Sequence, residues 1–107
     1  MYTYLIVDDE MIERKGIRML LSRMNIRENI LEASNGEEAL EVFEKEKIDV
    51  LLTDINMPFM DGIELLSRMG KHIQIQRAQL REFLFIGTPH LIDDGRLAMH
   101  DLIMAEF

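Results

Sequence analysis

Ile48-Asp49-Val50-Leu51-Leu52-Thr53-Asp54 carries consecutive apolar residues up to a threonine and then a lone carboxylate. A strand covered on one face alternates apolar and polar residues, whereas one covered on both faces runs apolar throughout. This stretch therefore predicts a central strand of a parallel sheet that delivers Asp54 at its carboxyl end. Upstream, Tyr2 to Val7 has the same character and ends at Asp8, Asp9 and Glu10. Between the two strands, Met11 to Met24 spaces Ile17, Leu20, Leu21 and Met24 along one face of a helix, with Asn25 just past its end. Asn29 to Ala33 reads as another short strand. Ser34-Asn35-Gly36-Glu37 follows it with the Ser-x-x-Glu pattern of a helix start, and Ala39, Leu40 and Phe43 form that helix's apolar stripe.

After Asp54, Pro58 and Asp61-Gly62 mark a loop, and Ile63 to Met69 is expected as a third helix with Ile63, Leu66 and Met69 inward. Strand and helix alternate three times, which predicts an α/β fold with a doubly wound parallel sheet and right-handed crossovers. Beyond Gly70 the pattern is weaker. Lys71 to Arg81 extends the third helix or forms a loop, Phe83 to Ile86 fits a fourth strand, and Arg96 to Phe107 fits a last helix using Leu97, Leu102 and Ile103. The whole of 1–107 is expected to be a single domain, since about 100 residues suffice for one core.

Composition removes several chemistries. Without cysteine there is no disulfide framework, thiolate metal site or thiol nucleophile. A formal net charge of -8 argues against grip on a nucleic-acid backbone by this domain. The apolar run Tyr4 to Val7 is interrupted at once by three acids, so neither a signal peptide nor a membrane span is expected, and a cytoplasmic location follows. His72, His90 and His100 have no metal-ligand spacing and read as ordinary histidines. The nine methionines read as core and gap filling, and the Arg and Glu series of the first helix as a solvated face.

Open α/β sheets bind ligands beyond the carboxyl ends of their strands. Asp8 and Asp9 end one such strand and Asp54 another, so neighbouring strands would crowd three carboxylates into one pocket. Taken alone, a pair such as Asp8-Asp9 after a strand is more often a solvated turn or helix cap than a metal ligand. Together with Asp54, the pair predicts a site for a hard divalent cation, Mg²⁺, which prefers oxygen ligands. Such a cation would let an anionic phosphodonor approach Asp54, and a carboxylate can act as nucleophile to form an aspartyl phosphate. Asp54, alone at its strand end, is the nucleophile candidate, with Asp8 and Asp9 as metal ligands, directly or through water.

Three segments carry a family resemblance: Tyr4-Leu5-Ile6-Val7-Asp8-Asp9-Glu10, Ala33-Ser34-Asn35-Gly36-Glu37-Glu38-Ala39-Leu40, and Leu51-Leu52-Thr53-Asp54-Ile55-Asn56-Met57-Pro58-Phe59-Met60-Asp61-Gly62. In this order and at these separations they resemble the receiver domains of bacterial two-component response regulators over about residues 2–69. The resemblance implies the CheY-like fold, a five-stranded parallel sheet with helices on both faces. It also implies phosphorylation of Asp54 by a partner sensor histidine kinase or a small phosphodonor. By the same resemblance Asp9 and Asp54 would coordinate Mg²⁺ directly, the backbone carbonyl of Asn56 would add a third oxygen, and Asp8 would act mainly through water. Pro58 and Gly62 would shape the turn into the third helix. The motifs are similar in style to regulators with an AraC-type DNA-binding output, and no such output is expected within these residues.

The second half departs from the family pattern. Receivers carry a hydroxyl at the end of the fourth strand and a Lys at the end of the fifth. Thr88, after Phe83-Leu84-Phe85-Ile86-Gly87, is the candidate switch hydroxyl, although an ordinary strand exit explains Gly87-Thr88-Pro89 equally well. No Lys occurs after Lys71, so the sheet is expected to be incomplete at its fifth strand. The match stops abruptly near Gly70, which favours a change of reading frame there over an early end after divergent elements.

The leading expectation is a phosphorylation-dependent signalling switch and not an enzyme in its own right. The alternative is a pseudo-receiver that acts only in association, where an open sheet edge would favour a homodimer or a segment-exchanged oligomer. A third reading, a phosphohydrolase of the haloacid-dehalogenase type, is disfavoured because Asn56 stands where a second acid two residues after the nucleophile is needed.

Overall fold

The computed structural model describes residues 2–76, 82–91 and 97–107, with side chains over 2–69 and 102–107. Eight elements follow one another: β1 (Tyr4–Val7), α1 (Met11–Arg23), β2 (Ile30–Ala33), α2 (Gly36–Lys45), β3 (Val50–Asp54), α3 (Gly62–Gln76), β4 (Glu82–Leu91) and β5 (Leu97–Glu106). They build one five-stranded sheet in the order β2-β1-β3-β5-β4. The first three strands are parallel, with Val7 level with Ala33 on one side and with Thr53 on the other.

Helices cover both faces of the parallel part, as a doubly wound sheet requires. On one face Leu5, Val7 and Leu51 pack with Ala39 and Phe43 of α2 and with Leu65 and Met69 of α3. On the other, Ile6 and Leu52 pack with Ile17 and Leu21 of α1. Alternate residues of one strand thus enter different cores, which is why β1 and β3 read as unbroken apolar runs. The sequence overestimated two stripes. Leu20 of α1 and Met24 just past its end are exposed, and α3 turns Leu65 and Met69 inward, leaving Ile63 47% exposed. Positions four apart share a helix face, and the pair that meets the sheet begins at residue 65.

Two helix ends follow local chemistry. Asn35 caps α2 by accepting from the Glu38 backbone N–H at 2.8 Å, while the Ser34 hydroxyl donates to the Glu38 carboxylate at 2.8 Å. The expected capping pattern is present, displaced by one residue toward the carboxyl terminus. Asn25, just past α1, has φ 62°, the left-handed conformation that often closes a helix.

The second half differs from expectation. Helix α3 continues through Gly70 to Gln76. The anticipated fourth strand exists, but where a last helix was expected, Leu97–Glu106 forms β5, antiparallel to both β3 and β4; Arg96 lies outside the described residues. The physical reason is the free edge of β3, whose N–H and C=O groups need partners. Leu102 joins the core beside α1, whereas Ala105 joins the core beside α2 and α3, and Phe107 packs partly against that same core. Strand periodicity therefore feeds both cores at once, which a helix at this edge would not do. The strand added here enters antiparallel between β3 and β4, so among the described residues the doubly wound sheet lacks its fifth parallel strand, as expected. No helix among the described residues is long and apolar enough to cross a membrane.

Candidate phosphoacceptor site

Parallel register places the acids. Val7 lies opposite Thr53, so the next residues, Asp8 and Asp54, leave adjacent strands side by side, where neighbouring strands are about 4.8 Å apart. Both are buried. Each anchors its own loop: one Asp8 carboxylate oxygen accepts from the Glu10 backbone N–H at 2.9 Å, and one Asp54 oxygen accepts from the Asn56 backbone N–H at 3.2 Å. The start of α1 is tied down beside them, with the Arg14 guanidinium donating to the Asp8 carbonyl at 2.6 Å and to Glu32 at 3.1 Å.

This brings a third acid into place. Oxygens of Asp8, Glu13 and Asp54 lie within 4.8 Å of one another, a group able to hold a metal ion. Burial pushes the Glu13 carboxyl above its ordinary pKa, a hydrogen bond with Asp8 pulls it back, and the negative charges of Glu10, Asp54 and Asp9 raise it further. Three close carboxylates suit a hard divalent cation, so the residues present fit the Mg²⁺ that receiver domains bind.

Asp8 and Asp54 converge as the sequence reading anticipated. Asp9 does not join them: it is exposed, on the bend after β1, and lies outside the trio. Asn56 is exposed with its backbone against the Asp54 carboxylate. Thr88 falls within β4 opposite His100. Strand β5 separates β4 from β3, which sets the two backbones roughly 9–10 Å apart; the Thr88 side chain lies outside the described residues. Glu13 was missed because the charged residues of α1 read as a solvated face. Its signal was a carboxylate in the first turn of a helix that begins directly after an acidic strand end.

The loop after β3 is shaped around Asp54. Gly62 donates its N–H to the Ile55 carbonyl at 2.9 Å, and a Cβ at that position would run into the Asp54 carbonyl oxygen, so only glycine fits this approach. Met57 and Met60 are buried and hold the loop from beneath, while Phe59 between Pro58 and Met60 is fully exposed with φ 69°.

The family model for the response regulator receiver domain matches residues 4–80. Over 67 residues the chain is 45% identical to sporulation initiation phosphotransferase F of Bacillus subtilis (strain 168), covering 61% of this chain and 51% of that protein. It is 40% identical, again over 67 residues, to the autoinducer 1 sensor kinase/phosphatase LuxN of Vibrio campbellii (strain ATCC BAA-1116), covering 63% of this chain and 8% of that protein. The crystal structure of a two component transcriptional regulator AraC from Clostridium phytofermentans ISDg superposes with a TM-score of 0.59 at 37% identity, covering 69% of this chain and 60% of that one. The chain thus spans less than two thirds of the length of each of these relatives. With the parallel β2-β1-β3 sheet, the acids at its carboxyl edge and a family match across most of its length, this chain belongs to the response regulator receiver domain family.

Proposed function

We propose that this chain is a phosphorylation-dependent switch of a cytoplasmic two-component pathway, accepting a phosphoryl group from a sensor histidine kinase on Asp54. The observation that carries this reading is the convergence of Asp8, Glu13 and Asp54 within 4.8 Å at the carboxyl edge of a receiver sheet. In the transfer, an Asp54 carboxylate oxygen attacks the phosphorus of the phosphohistidine. The new O–P bond forms an acyl phosphate, the N–P bond breaks, and the electron pair stays on the imidazole, which takes up a proton. Asp9, Asp54 and the Asn56 backbone carbonyl, with Asp8 acting through water, would hold Mg²⁺, which would supply positive charge against the phosphoryl oxygens. Asp8 sets one wall of the pocket, and the Asn56 N–H orients the Asp54 carboxylate. The acyl phosphate then biases a surface that a partner reads.

Acetyl phosphate with Mg²⁺, followed by intact mass, tests the proposal. The wild-type chain is expected to gain one phosphoryl group and Asp54→Asn none. A wild-type chain that stays unmodified, while still binding the cation, would leave association as its remaining role.

A further inference from the structure

The sheet ends in two unlike edges, β2 on one side and β4 on the other. Strand β2 is four residues long, its Glu32 is held by Arg14 and Arg18, and Arg18 also donates to the Ile30 carbonyl at 3.2 Å. Short length and charge keep an edge from pairing with another chain. Strand β4 has neither protection. It runs for ten residues, Glu82–Leu91, in unbroken register with β5 and therefore without a bulge. From Phe83 to Thr88 it carries no charge and no proline. Alternate residues of an antiparallel strand send both N–H and C=O to the same side, and no described strand lies beyond β4. Every second residue of β4 thus presents its backbone groups to an open edge.

We infer that β4 pairs antiparallel with β4 of a second copy, joining two five-stranded sheets into one across a two-fold axis. The inference concerns association and holds whether or not Asp54 accepts a phosphoryl group.

Closure makes a second copy the occupant. Two-fold pairing uses up the unguarded edge of each partner and leaves the guarded β2 at both ends of the joined sheet, so growth stops at two chains. Symmetry also fixes the register. Opposed residues lie on the same face of a sheet, so a residue at the centre must stand opposite its own copy. Centred on Ile86, the pairing spans Glu82 to His90 and sets Glu82 of one copy opposite His90 of the other, which keeps the two acids at opposite ends. The stretch between them is uncharged. Within the chain β5 already fills the free edge of β3 in the same manner. A formal net charge of -8 on each copy opposes association, and salt at about 0.15 M screens that repulsion beyond roughly 8 Å.

Because the chain lacks cysteine, single substitutions read the pairing directly. Opposed Cα atoms of an antiparallel pair lie about 4.5–5.5 Å apart, within disulfide reach. A residue one place off the centre is already ~7 Å from its own copy along the strand, and reach is lost.

The experiment measures the mass of the full chain by size-exclusion chromatography with light scattering over a wide concentration range. It then oxidises Leu84→Cys, Phe85→Cys, Ile86→Cys, Gly87→Cys and Thr88→Cys, with Ile30→Cys on β2 as the control. A concentration-dependent dimer is expected, with crosslinking strongest at Ile86→Cys and absent at Ile30→Cys. A peak at Phe85→Cys or Gly87→Cys keeps the interface and moves its centre by one residue. Ile86→Lys sets like charges face to face and should weaken the dimer roughly 5-fold or more, while Ile86→Thr retains it. Should Ile86→Lys fail to fold, the cysteine series still decides. A chain that stays monomeric at every concentration overturns the inference, as does growth beyond two chains or a dimer whose crosslinks peak outside positions 85 to 87.

Discussion

Strands β1 and β3 run parallel and in register, buried on both faces, and they end together at Asp8 and Asp54. Strands β4 and β5 form an antiparallel ribbon, paired from Glu82 opposite Glu106 to Leu91 opposite Leu97. Only Leu102–Glu106 of β5 pairs with β3; the stretch from Leu97 to Asp101 extends past Asp54 with β4 alone. The contrast teaches how strand direction distributes chemistry. Parallel neighbours bring their carboxyl ends, and the loops that follow, to one edge, so side chains distant in sequence can share a pocket. An antiparallel neighbour brings its amino-terminal side to that edge instead. Level with Asp54 stands Leu102, and the parallel strand that carries Thr88 is pushed one position further out. The ribbon completes the sheet beside the site, while all three clustered carboxylates come from the first half.

The largest effect that tests this division lies at the seam. Ile103 is fully buried opposite Thr53, so Ile103→Ala should cost about 2–5 kcal/mol, as core truncations do. Urea unfolding measures it. A loss well under 1 kcal/mol would mean that the ribbon is not integral to the core, and the two regions would then be scaffold and appendage.

Phe59 gives a smaller effect of opposite sign within the first half. A bulky residue with φ 69° and no buried surface carries a backbone penalty that its side chain does not offset. Phe59→Asn, which tolerates the left-handed region, should therefore stabilise the protein by about 1 kcal/mol. No gain in denaturant midpoint would contradict this and place a stabilising contact at the ring.

The smallest effect concerns the outer parallel strand. Glu32 accepts from Arg14 at 3.1 Å and from Arg18 at 2.7 Å. The Arg18 hydrogen bond, followed by the charges of both arginines and the Arg14 bond, holds its carboxyl below the ordinary pKa against a desolvation effect that raises it. A lowered carboxyl stabilises the fold while ionised, so this contribution is present above the unfolded-state pKa and fades as pH falls through the lower, folded-state value. The pair is partly solvated, so Glu32→Gln should cost under about 1 kcal/mol near neutral pH. The gap to wild type should close in the acid limb of a pH series of urea melts; a gap that widens with acid would reverse the sign argued here.

Much of the first half was legible in the residues. Periodicity located β1, α1, β2 and β3 to within two residues and the start of α2, and the lone Asp54 after a two-sided strand pointed to the site. The acids at 8 and 54 meet because equal register follows from two similar apolar runs. Less legible was which of two adjacent acids turns inward, since a one-residue difference in backbone direction decides it. Glu13 was hidden for a related reason: a helix position faces a pocket only once the helix is docked. In the second half, the apolar cluster Leu102-Ile103-Met104-Ala105 suits a helix or a buried strand equally.

Local sequence thus determined the three parallel strands, the three helices between and after them, and the carboxylate at position 54, because apolar periodicity and turn residues are properties of short segments. Tertiary structure alone decided that residues 102–106 extend along β3, that Asp8 is buried while Asp9 is exposed, and that Glu13 joins Asp8 and Asp54. Each of those outcomes depends on a neighbour remote in the chain: an unpaired strand edge that needs hydrogen bonds, or a docked helix that orients a single side chain.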